Sequence, residues 1–357
     1  MYPDRMTTGQ TYPIKVVFRN KGLATETNPN HMTSATFGWS VNGVQQPSAS
    51  WTGDLCLDYT DTIVVGNHVA LRDSNYIRVW VSSRNNVTTL DRRTDDTITY
   101  DGYGCDSALS GTYTLGGPTA NFPTVRYMKE RFYRCGFGGP VTININPGTY
   151  TGFDFDDQYP GLDSNNTITF QAAPGVNRSA VIIANNGNNP PVKFTEMAYV
   201  TIRNVTIRNT NVGRCVEFVG KYSHDITIDN CDIQGVTSTA TPYYNSTAIG
   251  RISTAAPFTS GGSGDRDMHF TNNTISGVNF GLYFTGTTNN AYKEDNFEVN
   301  GNTINCTVTG INAIQAKRWT INGNRINQMA TAADMDFKGV ALQNCTDFAS
   351  ISANKIH

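Results

Sequence analysis

Charge is scarce in this chain. Lys, Arg, Asp and Glu supply 16% of its 357 residues, against about 25% in an average soluble protein. The net charge of −2 gives no electrostatic case for nucleic acid or for an anionic membrane surface. No apolar run approaches the roughly 18–20 residues of a membrane span. Histidine is scarce too, at five residues. No His-Glu-x-x-His, Gly-x-Ser-x-Gly or phosphate loop occurs, which removes the common hydrolase and nucleotide signatures. The seven cysteines are Cys56, Cys105, Cys135, Cys215, Cys231, Cys306 and Cys345. They form no CxxC pair and no zinc-ligand spacing with histidine. The opening Met1-Tyr-Pro-Asp-Arg-Met6 is polar and no apolar stretch follows it. No signal peptide is therefore expected within these residues.

What is present is repetition. A degenerate phrase recurs six times: Val200-Thr-Ile-Arg-Asn-Val-Thr-Ile207, Ile226-Thr-Ile-Asp-Asn-Cys-Asp-Ile233, Met268-His-Phe-Thr-Asn-Asn-Thr-Ile275, Phe297-Glu-Val-Asn-Gly-Asn-Thr-Ile304, Trp319-Thr-Ile-Asn-Gly-Asn-Arg-Ile326 and Ala349-Ser-Ile-Ser-Ala-Asn-Lys-Ile356. Its closing isoleucines are 26, 42, 29, 22 and 30 residues apart. A second, shorter apolar beat follows each of the first five, as in Cys215-Val-Glu-Phe-Val219 and Gly281-Leu-Tyr-Phe284. Both beats alternate apolar and polar residues, the pattern of strands with one face buried. Asn, Gly, Thr and Ser between them suit tight corners. Two or three short strands per unit of about 22–30 residues, with no helix, describe a coil of a right-handed parallel β-helix. Successive coils would stack ~4.8 Å apart, with the isoleucines in one interior column and corner asparagines in ladders.

Residues 1–100 carry strand-like segments broken by Gly, Pro, Asn and Asp, which predict a seven-stranded β-sandwich. Residues 101–121 are Gly- and Ser-rich and predict a linker. Phe122, Val125, Met128 and Phe132 fall at i, i+3, i+6 and i+10, predicting a short amphipathic helix over 122–134, with Pro123 near its first turn. Such a helix would plug the first coil and shield it from edge pairing. From Val141 to residue 357 we expect eight or nine coils. The chain stops one residue after a repeat phrase, and a solenoid needs polar caps. It is therefore expected to be a piece of a longer protein, truncated at its C-terminus, with further domains of the same polypeptide as partners.

The "I-x-N-N-x-I" phrase resembles the repeats of parallel β-helices in polysaccharide lyases, some glycosidases and bacterial surface proteins. Cys105-Asp-Ser-Ala-Leu-Ser-Gly-Thr-Tyr-Thr-Leu-Gly-Gly, Asn121-Phe-Pro-Thr-Val and Gly139-Pro-Val-Thr-Ile-Asn-Ile-Asn-Pro-Gly-Thr-Tyr150 are similar to the start of β-helix domains in secreted proteins of Bacteroidota. Val16-Val-Phe-Arg-Asn-Lys-Gly22, Trp39-Ser-Val-Asn-Gly43, Trp51-Thr-Gly53, Tyr76-Ile-Arg-Val-Trp80 and Asp95-Asp-Thr97 resemble a CARDB-type, immunoglobulin-like module. The resemblance implies an extracellular or cell-surface adhesive segment. The same fold carries unrelated functions, so it speaks to architecture more than to activity. Asp61-Thr-Ile, Asp96-Thr-Ile and Asp106-Ser-Ala also resemble the O-glycosylation pattern of Bacteroidota, which would make Thr62, Thr97 and Ser107 acceptors.

Uneven coils point to inserted loops, and insertions on a solenoid often form its binding face. Segments 234–247, 253–267 and 285–296 carry Tyr243, Tyr244, Phe258, Asp265, Asp267, Tyr292, Glu294 and Asp295. Aromatics beside acids suit a polysaccharide or surface partner, and the four carboxylates could hold a Ca²⁺ ion through oxygen ligands. The alternative reading is a polysaccharide lyase or glycosidase, with Asp154, Asp156, Asp157, Asp334 and Asp336 as acids; glycosidases use two such carboxylates. The Gly-His-Gly and Arg-Ile-Lys of β-helix polygalacturonases are missing, so no catalyst is assigned. A third reading is a structural spacer or fibre subunit. Cys105 and Cys135 bracket the start of the β-helix; a disulfide there would close about 30 residues and contribute about 3 kcal/mol. Cys56–Cys105 pairing and free thiols stay open as alternatives.

Overall fold

Corners decide this architecture. In each repeat phrase the fifth residue is left-handed: Asn204, Asn230, Asn272, Gly301, Gly323 and Ala353 have φ of 57, 49, 56, 67, 65 and 55°. Asn and Gly tolerate that region best, which explains their recurrence there. The following residue points inward and forms a buried column: Val205, Cys231, Asn273, Asn302 and Asn324, with Asn354 at its outer end. Each asparagine bonds to the coil before it. Asn302 Oδ1 accepts from the Asn273 backbone N–H at 2.9 Å and from Asn273 Nδ2 at 3.1 Å, and Asn302 Nδ2 donates to the Phe270 carbonyl at 2.8 Å. Asn324 and Asn354 repeat the pattern on Val299 and Ile321. Buried amides are thus satisfied along the axis rather than by water.

The computed structural model describes residues 5–21, 31–88, 96–156, 159–240, 243–251, 264–286, 293–329, 336–347 and 350–357. It divides into two compact units, 1–108 and 109–357.

The second unit is a right-handed parallel β-helix. A ten-stranded sheet takes the first beat of each coil, running from Leu109–Leu115 through Phe137–Ile145, Ile168–Ala172, Ala198–Arg203, His224–Asp229, Arg266–Thr271, Glu294–Asn300 and Thr320–Asn322 to Ser350–Ser352. A thirteen-stranded sheet takes the rest. Pairing is parallel throughout. Ile183, Ile207, Ile233, Ile275, Ile304, Ile326 and Ile356 are direct neighbours, rung to rung. All are fully buried except Ile356, at 54% exposure. Phe155, Phe194 and Phe218 form a second interior column, with ring centroids 5.7 and 5.3 Å apart.

Helix α1 spans Val125–Cys135 and is capped by Thr124, whose side chain accepts from the Tyr127 N–H. Pro123 therefore lies before the cap rather than in the first turn. Val125, Met128 and Phe132 are buried, as is Phe122 ahead of the helix. The Phe132 ring packs on Phe137, Tyr159 and Phe170, closing the first coil with apolar surface. Two boundaries differ from expectation. The segment 101–121 is mostly strand rather than linker: Thr97–Cys105 completes a sheet of the first unit, and Leu109–Leu115 pairs with Phe137–Ile145. The solenoid accordingly begins before Val141. Glycines there serve close approach: a Cβ on Gly104 would meet the Leu71 carbonyl oxygen at 1.8 Å.

The first unit is a β-sandwich of seven strands among the described residues, in a five-stranded and a two-stranded sheet. Its core holds Ile14, Phe37, Trp39, Ile63, Val65, Ile77 and Val79. Cys105 and Cys135 are disulfide-bonded, while Cys56, Cys215, Cys231, Cys306 and Cys345 are free thiols.

Asn302→Ala removes two acceptor contacts and two donor contacts from the buried ladder. It is expected to cost at least about 3 kcal/mol, since each unsatisfied buried group costs about 1–3 kcal/mol. Ile304→Asp, which places an unpaired charge in the isoleucine column, should cost more. Denaturant unfolding followed by circular dichroism measures both, and wild-type stability in either variant would contradict this account of the interior.

Candidate functional site

The ladder fixes register, so the outward residues of the ten-stranded sheet fall into straight columns. One column reads Thr169, Thr201, Thr227, His269, Glu298 and Thr320. The next reads Asn144, Gln171, Arg203, Asp229, Thr271, Asn300 and Asn322. Neighbours within a column bond to each other. Arg203 Nε donates to Gln171 Oε1 at 2.8 Å, and Gln171 Nε2 to Asn144 Oδ1 at 2.9 Å. Asp229 Oδ1 accepts from Thr271 Oγ1 at 2.6 Å and Asn272 Nδ2 at 2.9 Å. His269 Nδ1 lies 3.0 Å from Glu298 Oε2, with side chains 37% and 47% exposed. Both groups face solvent.

A cleft of about 530 Å³ borders this face, lined by Gln171, Pro174, Asn177, Arg178, Asn204 and Asn230 among others. Asn204 and Asn230 are the left-handed corner residues that follow Arg203 and Asp229. Arg178 braces the wall: its guanidinium donates to the Asn230 carbonyl at 3.2 Å, to Asn230 Oδ1 at 3.0 Å and to Thr274 Oγ1 at 3.3 Å. The face and the cleft together offer hydrogen-bond donors and acceptors at each rung, ~4.8 Å apart.

Among the described residues, the loop residues singled out in the sequence do not form one surface. Asp265 and Glu294 are fully buried, not displayed. Arg251 occupies an inward-facing position in register with Phe284, where the column demands a partner for its charge. Arg251 Nε and Nη2 reach the two carboxylate oxygens of Asp265 at 2.6 and 2.8 Å, and Nη1 donates to the Gly220 carbonyl at 2.5 Å. Asp265 Oδ1 also accepts from the Ser223 N–H at 3.0 Å. A charge in that column can only be kept by pairing and full hydrogen bonding. Asp267 accepts from Asn296 Nδ2 at 2.6 Å. Asp295 binds Arg318 Nε at 2.6 Å and lies 3.3 Å from Lys317 Nζ. Among the described residues no cluster of His, Cys, Asp and Glu could hold a metal ion, so the four carboxylates do not converge on Ca²⁺.

Tyr244 lies in the short turn Tyr243–Asn245, its ring 5.8 Å from that of Tyr283 on the thirteen-stranded sheet. Tyr243 lies in the short turn Tyr243–Asn245, its side chain outside the described part; Phe258 and Tyr292 lie outside the described residues. Of the acids considered for catalysis, Asp154 pairs with Lys129 at 3.0 Å and Asp156 with Lys193 at 3.5 Å. Asp336 is exposed, and Asp157 and Asp334 lie outside the described residues. Thr62 and Ser107 are exposed and Thr97 partly so. The face residues Arg203, Asp229, His269 and Glu298 were missed. They occupy the polar positions of the repeat phrase, and reading the aligned phrases down those positions gives both columns directly.

No protein-family model matches this chain, and no curated protein does. Solved structures similar to it include a rhamnogalacturonan lyase, at 13% identity and a TM-score of 0.31, over 60% of this chain and 74% of that one. The alginate lyase from Paenibacillus sp. str. FPU-7 is similar at 15% identity and a TM-score of 0.34, over 69% of this chain and 99% of that one. The Yersinia enterocolitica family 28 exopolygalacturonase is similar at 9% identity and a TM-score of 0.15, over 98% and 99%.

Arg251→Met would leave Asp265 buried without its cation, at a cost of about 3–5 kcal/mol. Urea titration reads the loss, and adding Asp265→Leu to Arg251→Met should recover a good part of it. Asp295 supplies a pH signature. Burial alone would raise its carboxyl, but bonds from Arg318 and Lys317 hold it below the ordinary value. Stability from such a group is present above the unfolded value of about 3.9 and is lost as pH falls through the folded one. Asp295→Asn should therefore flatten the decline of Tm below about pH 4; an unchanged acid limb would contradict it.

Proposed function

We propose that this chain binds an extended polysaccharide along the outward face of its ten-stranded sheet and into the adjoining cleft. The observation that carries the reading is the run of Arg203, Asp229, His269 and Glu298 on successive rungs beside the cleft at Asn204 and Asn230. A repeating polymer meets a repeating set of donors and acceptors. Side chains already bonded to their neighbours lose little freedom on binding. The disulfide at Cys105 and Cys135 supports an oxidising, extracellular setting, and no helix of the described residues is long and apolar enough to cross a membrane. The chain then acts as a stiff surface or adhesive segment.

Cleavage of the bound polymer is the second reading, as a lyase or glycosidase. The specific observation in its favour is the solvent-facing His269–Glu298 pair at 3.0 Å, with Asp229 on the next rung. An imidazole held by a carboxylate is a serviceable general base.

Arg203→Ala and His269→Ala should each weaken binding at least about tenfold, a loss of about 1.4 kcal/mol. Calorimetric titration against uronic and neutral polysaccharides measures this, with unchanged melting as the control. Undiminished binding in both variants would remove the site from this face. New reducing ends or unsaturated uronates in the wild-type mixture, abolished by His269→Ala, would establish the second reading over the first.

A further inference from the structure

The five free thiols differ sharply in surroundings. Cys215, Cys231 and Cys306 are buried inside the solenoid, and burial pushes each up to about 12. Cys215 and Cys231 donate to backbone carbonyls, as does Cys345 to those of Ala313 and Gln343 at 3.3 and 3.4 Å. Cys56 is different: it is exposed, and its sulfur lies 3.9 Å from His31 Nε2. The other ring nitrogen of His31, Nδ1, bonds to the Asp54 carboxylate.

His31 thus meets Asp54 and Cys56, 23 and 25 residues further along the chain, at the open end of one hairpin. His31 precedes the strand Met32–Val41, Asp54 lies on the antiparallel strand Val44–Leu55, and Cys56 follows it. Both chain segments are held there. Asn85 Nδ2 donates to the His31 carbonyl at 2.9 Å, and the buried Asn20 Nδ2 donates to the Leu55 carbonyl at 2.9 Å. The Tyr59 N–H closes a turn on the Cys56 carbonyl at 3.2 Å. Two residues beyond Cys56, Asp58 pairs with Arg19 at 3.1 Å and with Lys21 at 3.3 Å. In the tautomer that donates Nδ1–H to Asp54, the Nε2 lone pair faces the thiol.

We propose that Cys56 is a nucleophilic thiol that forms mixed disulfides with small-molecule disulfides, with His31 as its base and Asp54 as a positioning residue. His31 Nε2 takes the thiol proton. The Cys56 thiolate attacks one sulfur of the reagent disulfide; a new sulfur–sulfur bond to Cys56 forms as the reagent's own bond breaks. The departing thiolate takes the proton back from the imidazolium. One disulfide is consumed and one is made, so no outside oxidant is needed. The disulfide-bonded Cys105 and Cys135 indicate a setting in which such reagents occur.

The test is stopped-flow reaction of the intact chain with oxidised glutathione and with an aromatic disulfide, followed by peptide mapping. We expect one fast thiol, at Cys56, and its loss in Cys56→Ser. Near about pH 6.5, where imidazole is the ordinary base, His31→Ala should slow it on the order of tenfold, and Asp54→Asn by less. In strong base the rates of all three should converge, because an exposed thiol then needs no neighbour to lose its proton. A merely structural histidine would not give that pH-dependent gap, and unchanged circular dichroism rules out misfolding as its cause. Equal rates for wild type and His31→Ala across pH, or faster labelling of Cys345, would overturn the proposal.

Discussion

Every coil must reverse direction inside a wall that has no water to spare. The chain solves this with one left-handed residue followed by one inward side chain that bonds to the coil below. Asn273, Asn302, Asn324 and Asn354 make this a continuous ladder. In the earlier coils Cys231 replaces the amide, donating its thiol to the Ile202 carbonyl at 3.6 Å, and Val205 ends the series with no polar group at all. Since the corner is invariant in register, the chain between corners can vary widely in length. Ile233 still pairs with Ile275 although 42 residues separate them, against 22 between Ile304 and Ile326.

That constraint also explains where binding chemistry can be held accurately. Side chains on the outer face of the ten-stranded sheet inherit rung spacing and register from the backbone. Loops between coils inherit neither. The two carboxylates that the loops were expected to present, Asp265 and Glu294, instead stack beneath the surface around Arg251, where they let a charged residue stand in an otherwise apolar column. A polar interior group of this kind favours one arrangement over slipped alternatives, because slippage strands a charge.

The two units carry different chemistry for the same reason, the fate of their polar groups. Inside the solenoid Cys215 and Cys231 are buried and donate to backbone carbonyls. In the sandwich the end of one hairpin leaves Cys56 exposed beside an imidazole that a carboxylate orients. Exposure and orientation, rather than residue type, separate a reactive thiol from a packing one.

The repeat phrase, taken alone, determined the β-helix, the isoleucine column and the asparagine corners, because stacking narrows the residue choice at each of those positions in coil after coil. The spacing of Phe122, Val125, Met128 and Phe132 likewise determined the helix that closes the first coil. Segment 101–121 misled because glycine serves close approach in a packed strand as well as flexibility in a linker; only the pairing of Leu109–Leu115 with Phe137–Ile145 shows which applies. The columns of Arg203, Asp229, His269 and Glu298 were readable in principle, since alternation sends them outward. What tertiary structure alone decided was neighbourhood at a distance: Arg251 with Asp265, Tyr244 with Tyr283, and His31 with Asp54 and Cys56. No local pattern encodes such pairs, because each depends on where two separate stretches of backbone come to rest.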